Sequence, residues 1–171
     1  MIAFDHDGVL VGVLGDWEAC HPKHYNNSVE MPLIKEVIQK INKPCIVISN
    51  QQGVKWGYCS LEAVVGRFEW LMQRIPQIQA SFFCPDEGSK SWIVKKDGWI
   101  RQYESEVLIH FFRKPEKGMA VLARDLGFFD IDTYVGDLSG NPDYADGRDS
   151  DRLFAQNAGL KYLDVNEFIL K

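Results

Sequence analysis

The sequence has few of the features that mark secreted, membrane-spanning or nucleic-acid-coating proteins. Its four cysteines are scattered without a C-x-x-C pair, and we find no secretory signal, so we expect reduced thiols and a cytoplasmic location. The apolar runs are too short to cross a bilayer, so no membrane partner is expected. The net charge of −5 makes a broad basic surface for nucleic acid unexpected, although it leaves a local basic groove open.

The chain does have enough apolar sequence for one domain with a sizeable core. Its 171 residues are 46% apolar and 25% charged, which predicts a single globular domain over residues 1–171. Short apolar runs alternate with segments of helical periodicity, such as "CIVIS" followed by "SLEAVVGRFEWLMQRI". This alternation predicts a Rossmann-like, three-layer α/β/α fold with a mainly parallel sheet.

The alternation breaks once, over residues 84–112. Within that insert, "SWIVKK" and "WIRQY" flank Asp97-Gly98, a pair typical of a two-residue β-hairpin turn. We therefore expect a small hairpin insert, which could act as a lid or as the surface that selects the substrate. Its aromatic residues could stack on bases, but packing against the core is the more common role of such side chains.

Polar residues follow three of the predicted strands at the point where each strand ends. They are Asp5 and Asp7, then Ser49 and Asn50, then Asp137. In open α/β sheets this edge is where ligands bind. Two adjacent carboxylates repel each other, and a divalent cation is the usual compensation.

His6 lies between the two aspartates in the sequence. Strand alternation points its side chain away from Asp5 and Asp7, so we expect it to pack in the core.

Four motif-like stretches follow one another along the chain: "FDHDGVL", "VISNQQG", "FRKPEKGM" and "YVGDLSGNPDYADGRDSD". The set resembles the haloacid dehalogenase (HAD) superfamily of aspartate-nucleophile phosphatases, over nearly the whole chain. The resemblance implies that Asp5 is the nucleophile and Asp7 the general acid and base. It also implies that Gly8, Ser49 and the amide of Asn50 surround the phosphate of a phosphorylated substrate.

The same resemblance implies a cofactor, Mg²⁺. Its ligands would be Asp5, the backbone carbonyl of Asp7, and Asp137. Lys114 would neutralise the phosphoryl oxygens as a third catalytic residue, and Asp151 would orient Lys114 or a metal-bound water from behind.

A narrower resemblance rests on "RKPEKGM", which is similar to the Lys-Pro-x-x-Gly-Met signature of one branch of the superfamily. "SNQQG" and the closing stretch "DRLFAQNAGLKYLDVNEFILK" are similar to the phosphatase domain of polynucleotide kinase/phosphatase. A polynucleotide 3′-phosphatase is therefore the leading hypothesis. A phosphatase of small sugar or histidinol-type phosphates is the alternative, and a non-catalytic binding module is a third reading.

The chain also departs from related proteins. It has no kinase P-loop, and of the zinc loop found in heptose-bisphosphate enzymes only Cys84 and His110 remain, so no zinc is expected. Arg113 and Arg148 are candidates for contacting an anionic substrate.

Overall fold

A computed structural model describes residues 1–12, 29–106, 110–140 and 147–170 of the chain. The stretch over residues 12–31 is rich in Gly, Asn, Pro and His, and the sequence predicts a long loop there. That stretch lies mostly outside the described residues, as does part of the 84–112 insert. The nine strands of the described residues are β1 Ile2–Phe4, β2 Val11–Gly12, β3 Val29–Glu30, β4 Cys45–Asn50, β5 Ile78–Cys84, β6 Lys90–Lys95, β7 Ile100–Glu104, β8 Thr133–Gly136 and β9 Lys161–Asp164. The helices there are α1 Pro32–Ile41, α2 Leu61–Arg74, α3 Gly118–Asp125, α4 Ser150–Ala158 and α5 Val165–Ile169.

Seven strands form one sheet, in the order β7-β6-β5-β4-β1-β8-β9. Five neighbouring strands pair in parallel, in the spatial order β5, β4, β1, β8 and β9. The strands β6 and β7 extend the sheet beyond β5 in antiparallel pairing. The first strand, β1, lies at the centre, between β4 and β8. The mainly parallel Rossmann-like sheet predicted from the sequence is confirmed.

Helices cover both faces of this sheet, because successive strand side chains point to opposite sides. One face of the core contains Phe4 and Val47, packed with Phe68 of α2 and Phe168 of α5. The other face buries these strands' alternate residues against α3 and α4, and Phe154 of α4 is fully buried there. The three-layer arrangement is therefore confirmed.

Helix boundaries follow the local signals in the sequence. Pro32 begins α1, and Asn42 ends it with a left-handed backbone (φ +50°). The Ser60 side chain accepts a hydrogen bond from the backbone N–H of Ala63 at 3.1 Å and caps α2. Gly159 ends α4 in the left-handed region, as expected for a glycine after the last helical turn.

The predicted hairpin is confirmed as β6 and β7, with Asp97-Gly98 in its turn. The turn is longer than the two residues predicted, because the N–H of Lys95 donates to the carbonyl of Trp99. It continues the main sheet, because β6 pairs with β5. Trp92 packs partly against the core, as expected for a hairpin face, whereas Trp99 is 36% exposed beside the ammonium of Lys95. A role of the 84–112 insert as a lid stays a prediction. None of the described helices combines the length and the apolar character needed to cross a bilayer.

Candidate active site

Three neighbouring strands of the sheet place polar residues at one edge, and two of these residues are acidic. Asp5 follows β1, and its backbone N–H donates to the carbonyl of Val135 in β8 at 2.9 Å. Asp137 follows β8 directly, and Ser49 lies near the end of β4 on the other side of β1. Because β4, β1 and β8 are adjacent, the loops that follow them converge, as the sequence predicted.

Four buried charged residues meet there, and we call them the buried cluster: Asp5, Lys114, Asp137 and Asp151. The ammonium of Lys114 lies 2.9 Å from Asp5 Oδ2 and 2.7 Å from Asp151 Oδ1. Its third partner is the hydroxyl of Tyr134, at 2.7 Å. An ammonium has three N–H donors, so all three are satisfied and the Lys114 side chain is fixed in place. Asp151 therefore contacts Lys114 directly, and its role in orienting Lys114 or a metal-bound water stays a prediction.

The burial of these charges changes their protonation. Burial, opposed by Lys114 and reinforced by the negative charge of Asp151, raises the pKa of Asp5 to about 7. Burial together with Asp151 and Asp5 also raises the pKa of Asp137 well above its ordinary value. For Lys114 burial acts in the opposite direction, but the attraction of Asp151 and Asp5 is stronger and holds its pKa above the usual range. The folded chain therefore disfavours ionisation of Asp5 and Asp137 and favours the charged form of Lys114.

The carboxylates of the buried cluster suit a divalent cation. One oxygen each from Asp5, Asp137 and Asp151 lies within 4.8 Å of the others. Asp137 Oδ1 is buried and accepts no hydrogen bond from the part of the chain that the structure describes, so it keeps a ligand position open. Oxygen ligands of this kind are those that Mg²⁺ prefers.

Glycine is required next to these carboxylates. Gly8 has φ +79°, and a Cβ atom there would lie 2.4 Å from Asp137 Oδ2. The close approach explains why the Asp-x-Asp motif is followed by glycine, and it allows the loop after β1 to pass beside Asp137. The role of Gly8 in phosphate binding stays a prediction.

Asp7 lies apart from the buried cluster, with a side chain that is 30% exposed. Its Oδ1 is 3.0 Å from Nδ1 of His6, and its Oδ2 accepts a hydrogen bond of 2.7 Å from Nε2 of Gln51. The side chain of Asp7 is not one of the three carboxylates that could hold a metal together. The third carboxylate of that set, besides Asp5 and Asp137, belongs to Asp151. The proposed ligand of Asp7, its backbone carbonyl, stays a prediction.

The expected packing role of His6 is confirmed, because its ring is fully buried at 4.8 Å from that of Phe68. The expectation that the ring points away from both aspartates is wrong, since Nδ1 reaches Asp7. The physical reason is that the strand has already ended. The carbonyl of His6 accepts hydrogen bonds from the N–H groups of Leu10 and Val11, so residues 6–11 form a turn to which strand alternation does not apply.

The end of β4 and the residue after it connect the buried cluster with Asp7. The side chain of Asn50 exchanges two hydrogen bonds with the backbone of Lys114, donating at 3.1 Å and accepting at 2.9 Å. Gln51 Nε2, besides binding Asp7, donates to the hydroxyl of Ser49 at 3.0 Å. Asn50 therefore has a positioning contact that sequence reasoning did not foresee, and the phosphate-binding roles of Ser49 and the Asn50 amide stay predictions.

Two residues of the site were missed at the level of sequence. Gln51 belongs to the "SNQQG" stretch, so the motif match was a usable signal for it. Tyr134 carried no such signal, because a tyrosine within a strand is typical of a residue that packs in the core. Its hydroxyl donates to the carbonyl of Ile48 at 3.0 Å while it accepts from Lys114.

The two arginines proposed as substrate contacts differ in their surroundings. Arg113 directly precedes Lys114, and its Nη1 is buried with no hydrogen-bond partner among the described residues. Arg148 is exposed, and its carbonyl accepts from the N–H of Gly140 at 2.9 Å. Contacts of either residue with substrate stay predictions.

Comparisons with known proteins agree with this fold. A HAD-like protein from Mesorhizobium loti shares the fold, with a TM-score of 0.58 and 18% identity over 93% of this chain and 68% of the other. The D,D-heptose 1,7-bisphosphate phosphatase of B. bronchiseptica, solved with magnesium and phosphate, has a TM-score of 0.52 and 18% identity over 99% and 95% of the two chains. A search of curated proteins found no match.

The fold and the site thus define a class, that of phosphatases with the HAD-like fold. A family model described as polynucleotide kinase 3 phosphatase matches residues 1–169, and the chain belongs to that family.

Proposed function

We propose that the chain is a Mg²⁺-dependent phosphomonoester hydrolase that works through a phosphoaspartate at Asp5 and acts on the 3′-phosphate end of a nucleic acid. The observation that carries the catalytic part is the environment of Asp5. Its carboxylate lies buried at the end of the central strand, 2.9 Å from the ammonium of Lys114, with the more exposed Asp7 two residues away.

In the first step, a carboxylate oxygen of Asp5 attacks phosphorus and the bond from phosphorus to the leaving oxygen breaks. Asp7 gives its proton to that oxygen, so the product leaves as an alcohol. In the second step, Asp7 takes a proton from water, which attacks the phosphoaspartate and returns Asp5 as a carboxylate with release of phosphate.

Lys114 offsets the negative charge of the phosphoryl oxygens during both steps. Its three hydrogen bonds hold the ammonium beside Asp5, where the phosphoryl oxygens would gather. Mg²⁺, held by Asp5, Asp137 and the carbonyl of Asp7, would add positive charge at the same place.

The nucleic-acid substrate is supported first by the family, whose model matches almost the whole chain. It is also supported by two exposed aromatic side chains, Trp56 and Tyr58, on the loop that begins at Gln51. Their rings contact each other edge to face, with centroids 6.0 Å apart, and they are 54% and 45% exposed. The same loop is anchored by Val54 and Cys59, which pack against the core. Exposed rings on a loop that begins at Gln51, a contact of Asp7, suit unpaired bases, which bind by stacking.

A small-molecule phosphate is the second candidate. The observation that favours it is the likeness of fold to the heptose bisphosphate phosphatase, which extends over 99% of this chain. The net charge of −5 also favours a small substrate over a long polyanion.

The experiment that tests the proposal is phosphate release by the purified protein with Mg²⁺. The substrates are a 3′-phosphorylated single-stranded oligonucleotide, its 5′-phosphorylated isomer and a panel of sugar phosphates, and Asp5→Asn is the control. Release from the 3′ end that is lost in Asp5→Asn is expected. Release from the sugar phosphates alone would transfer the assignment to the second candidate.

Two tryptophan variants locate the surface that binds the bases. Removing a stacked ring costs about 1–3 kcal/mol per base, so Trp56→Ala should lower kcat/KM for the oligonucleotide by roughly 5-fold or more relative to p-nitrophenyl phosphate. Trp99→Ala, on the exposed hairpin turn, is the matched control and should leave that ratio unchanged. The opposite pattern would place base binding on the hairpin.

A further inference from the structure

His6 contacts both aspartates of the motif, through two different groups. Its backbone N–H donates to Asp5 Oδ1 at 2.8 Å, and its ring Nδ1 lies 3.0 Å from Asp7 Oδ1. An ionised carboxylate can only accept hydrogen bonds, so Nδ1 carries the hydrogen when Asp7 is ionised. One residue therefore links the carboxylates that have the roles of nucleophile and proton donor.

The second oxygen of Asp7 is held from the other side. Gln51 Nε2 donates to Asp7 Oδ2 at 2.7 Å, and Gln51 is itself 95% buried. The Gln51 backbone is fixed as well, because its N–H donates to the carbonyl of Cys84 at 2.7 Å. Each carboxylate oxygen has two lone pairs, so these contacts leave one on each oxygen for the transferred proton.

Packing does not hold Asp7 in the same way. Its side chain is 30% exposed, whereas His6 is fully buried against Phe68. A partly exposed aspartate ordinarily samples several rotamers, and proton transfer requires one of them. The two buried donors select that rotamer.

The presence of a polar ring in the core supports the same role for His6. A ring that served packing alone could be apolar, and a buried imidazole is costly unless its N–H groups find acceptors. The hydrogen bond to Asp7 offsets that cost.

We propose that His6 is a positioning residue that, together with Gln51, orients the carboxyl group of Asp7 toward the leaving oxygen of the substrate. This inference rests on the proposed function, in which the proton of Asp7 moves to the leaving oxygen as its bond to phosphorus breaks. The orientation depends on donation of the ring N–H and requires no charge on the imidazole.

Two variants separate positioning from packing. His6→Asn places a side-chain N–H near the position of Nδ1 but removes the ring, and His6→Phe keeps a ring against Phe68 but removes the N–H. If His6 positions Asp7, proton donation by Asp7 should be retained in His6→Asn and lost in His6→Phe. Packing alone predicts the reverse order.

The readout compares two leaving groups. An alcohol, as in a 3′-phosphorylated oligonucleotide or a sugar phosphate, needs a proton to leave, whereas p-nitrophenolate leaves without one. The ratio of kcat/KM for the two substrates reports on the first step only. It does not depend on how much of a preparation is folded, because both substrates are measured on the same sample.

For His6→Phe we expect kcat/KM for the alcohol leaving group to fall by about 10- to 100-fold more than for p-nitrophenyl phosphate. His6→Asn should restore the wild-type ratio to within about threefold. Gln51→Leu should change this ratio in the same direction as His6→Phe. Gln51→Glu should also fail to keep the wild-type ratio, because a carboxylate cannot donate a hydrogen bond to Asp7.

An unchanged ratio in His6→Phe, with an active wild type, would overturn this inference and leave the proposed function intact. A wild type that hydrolyses no phosphomonoester would overturn both. Activity of the wild type that persists in Asp5→Asn would refute the proposed mechanism, and with it the need for Asp7 to donate a proton.

Discussion

Two clusters of charged side chains in this protein are built in opposite ways. The buried cluster at the strand ends has three carboxylates around one ammonium, a formal charge of −2. The surface cluster has one carboxylate, Glu30, between the cations of Lys35 and Arg74, at 2.9 Å and 2.7 Å. Both clusters connect distant parts of the chain, but among the described residues only the surface cluster has at least as many cations as carboxylates.

The protonation of the acids reflects this difference. Hydrogen bonding to Arg74 is the main cause that lowers the pKa of Glu30, so the folded state favours the ionised form. Burial is the main cause that raises the pKa of Asp5 and of Asp137, so there the folded state disfavours ionisation. The surface cluster therefore adds stability, whereas the buried cluster keeps an unfavourable excess of charge where a cation and a phosphoryl group would offset it.

The largest effect should come from Asp5→Asn. The amide cannot attack phosphorus, so turnover should fall by more than about a thousandfold. Folding stability should stay close to that of the wild type without metal, because one of the crowded charges has been removed. Phosphate release and urea unfolding, measured on the same preparation, check both parts. An inactive variant that is also unfolded would contradict this separation of function from stability.

Lys114→Met should have the largest effect on stability. It removes the ammonium at 2.9 Å from Asp5 and 2.7 Å from Asp151 and leaves buried carboxylates unpaired, which costs about 3–5 kcal/mol. Urea unfolding at neutral pH measures this loss. Lys117→Met, an exposed lysine three residues away, is the matched control and should change the free energy of unfolding little. Equal losses in the two variants would show that Asp5 and Asp151 do not need Lys114.

Sequence reasoning located the candidate active site but not all of its contacts. The period of apolar residues defines the strands, and strand ends in a parallel sheet meet at one edge, so Asp5 and Asp137 could be placed together. The contact of Gln51 with Asp7 depends on a side-chain rotamer, which no sequence period encodes. Tyr134 was hidden because an aromatic residue in a strand is typical of core. His6 was misplaced because the chain turns directly after a three-residue strand.

A smaller effect is expected from Mg²⁺ itself. If the cation binds the buried cluster, a concentration of 100 times its Kd should stabilise the folded state by about 2.7 kcal/mol, and EDTA should reverse the shift. Asp137→Asn should remove most of the stabilisation, because it alters the carboxylate whose buried Oδ1 accepts no hydrogen bond from the described residues. Asp125→Asn, an exposed acid at the end of α3, should keep it. Equal stabilisation of Asp137→Asn and the wild type would place the cation elsewhere.

The smallest effect should come from the surface cluster. Glu30→Gln removes the charge that Lys35 and Arg74 share, and for a partly exposed network we expect a loss of about 1 kcal/mol at pH 7. The folded-state pKa of Glu30 lies below its ordinary value, so its contribution is present above that value and is lost as the pH falls through the folded pKa.

Urea unfolding of the wild type and of Glu30→Gln should therefore differ at pH 7 and converge in acid, and 1 M salt should shrink the difference at pH 7. Phosphatase activity should be unchanged, because Glu30 lies in β3, outside the strands that carry the buried cluster. A difference that grew toward acid would mean that the carboxylate of Glu30 destabilises the fold. The two clusters would then share the same unfavourable electrostatics, and excess charge would no longer distinguish the active site.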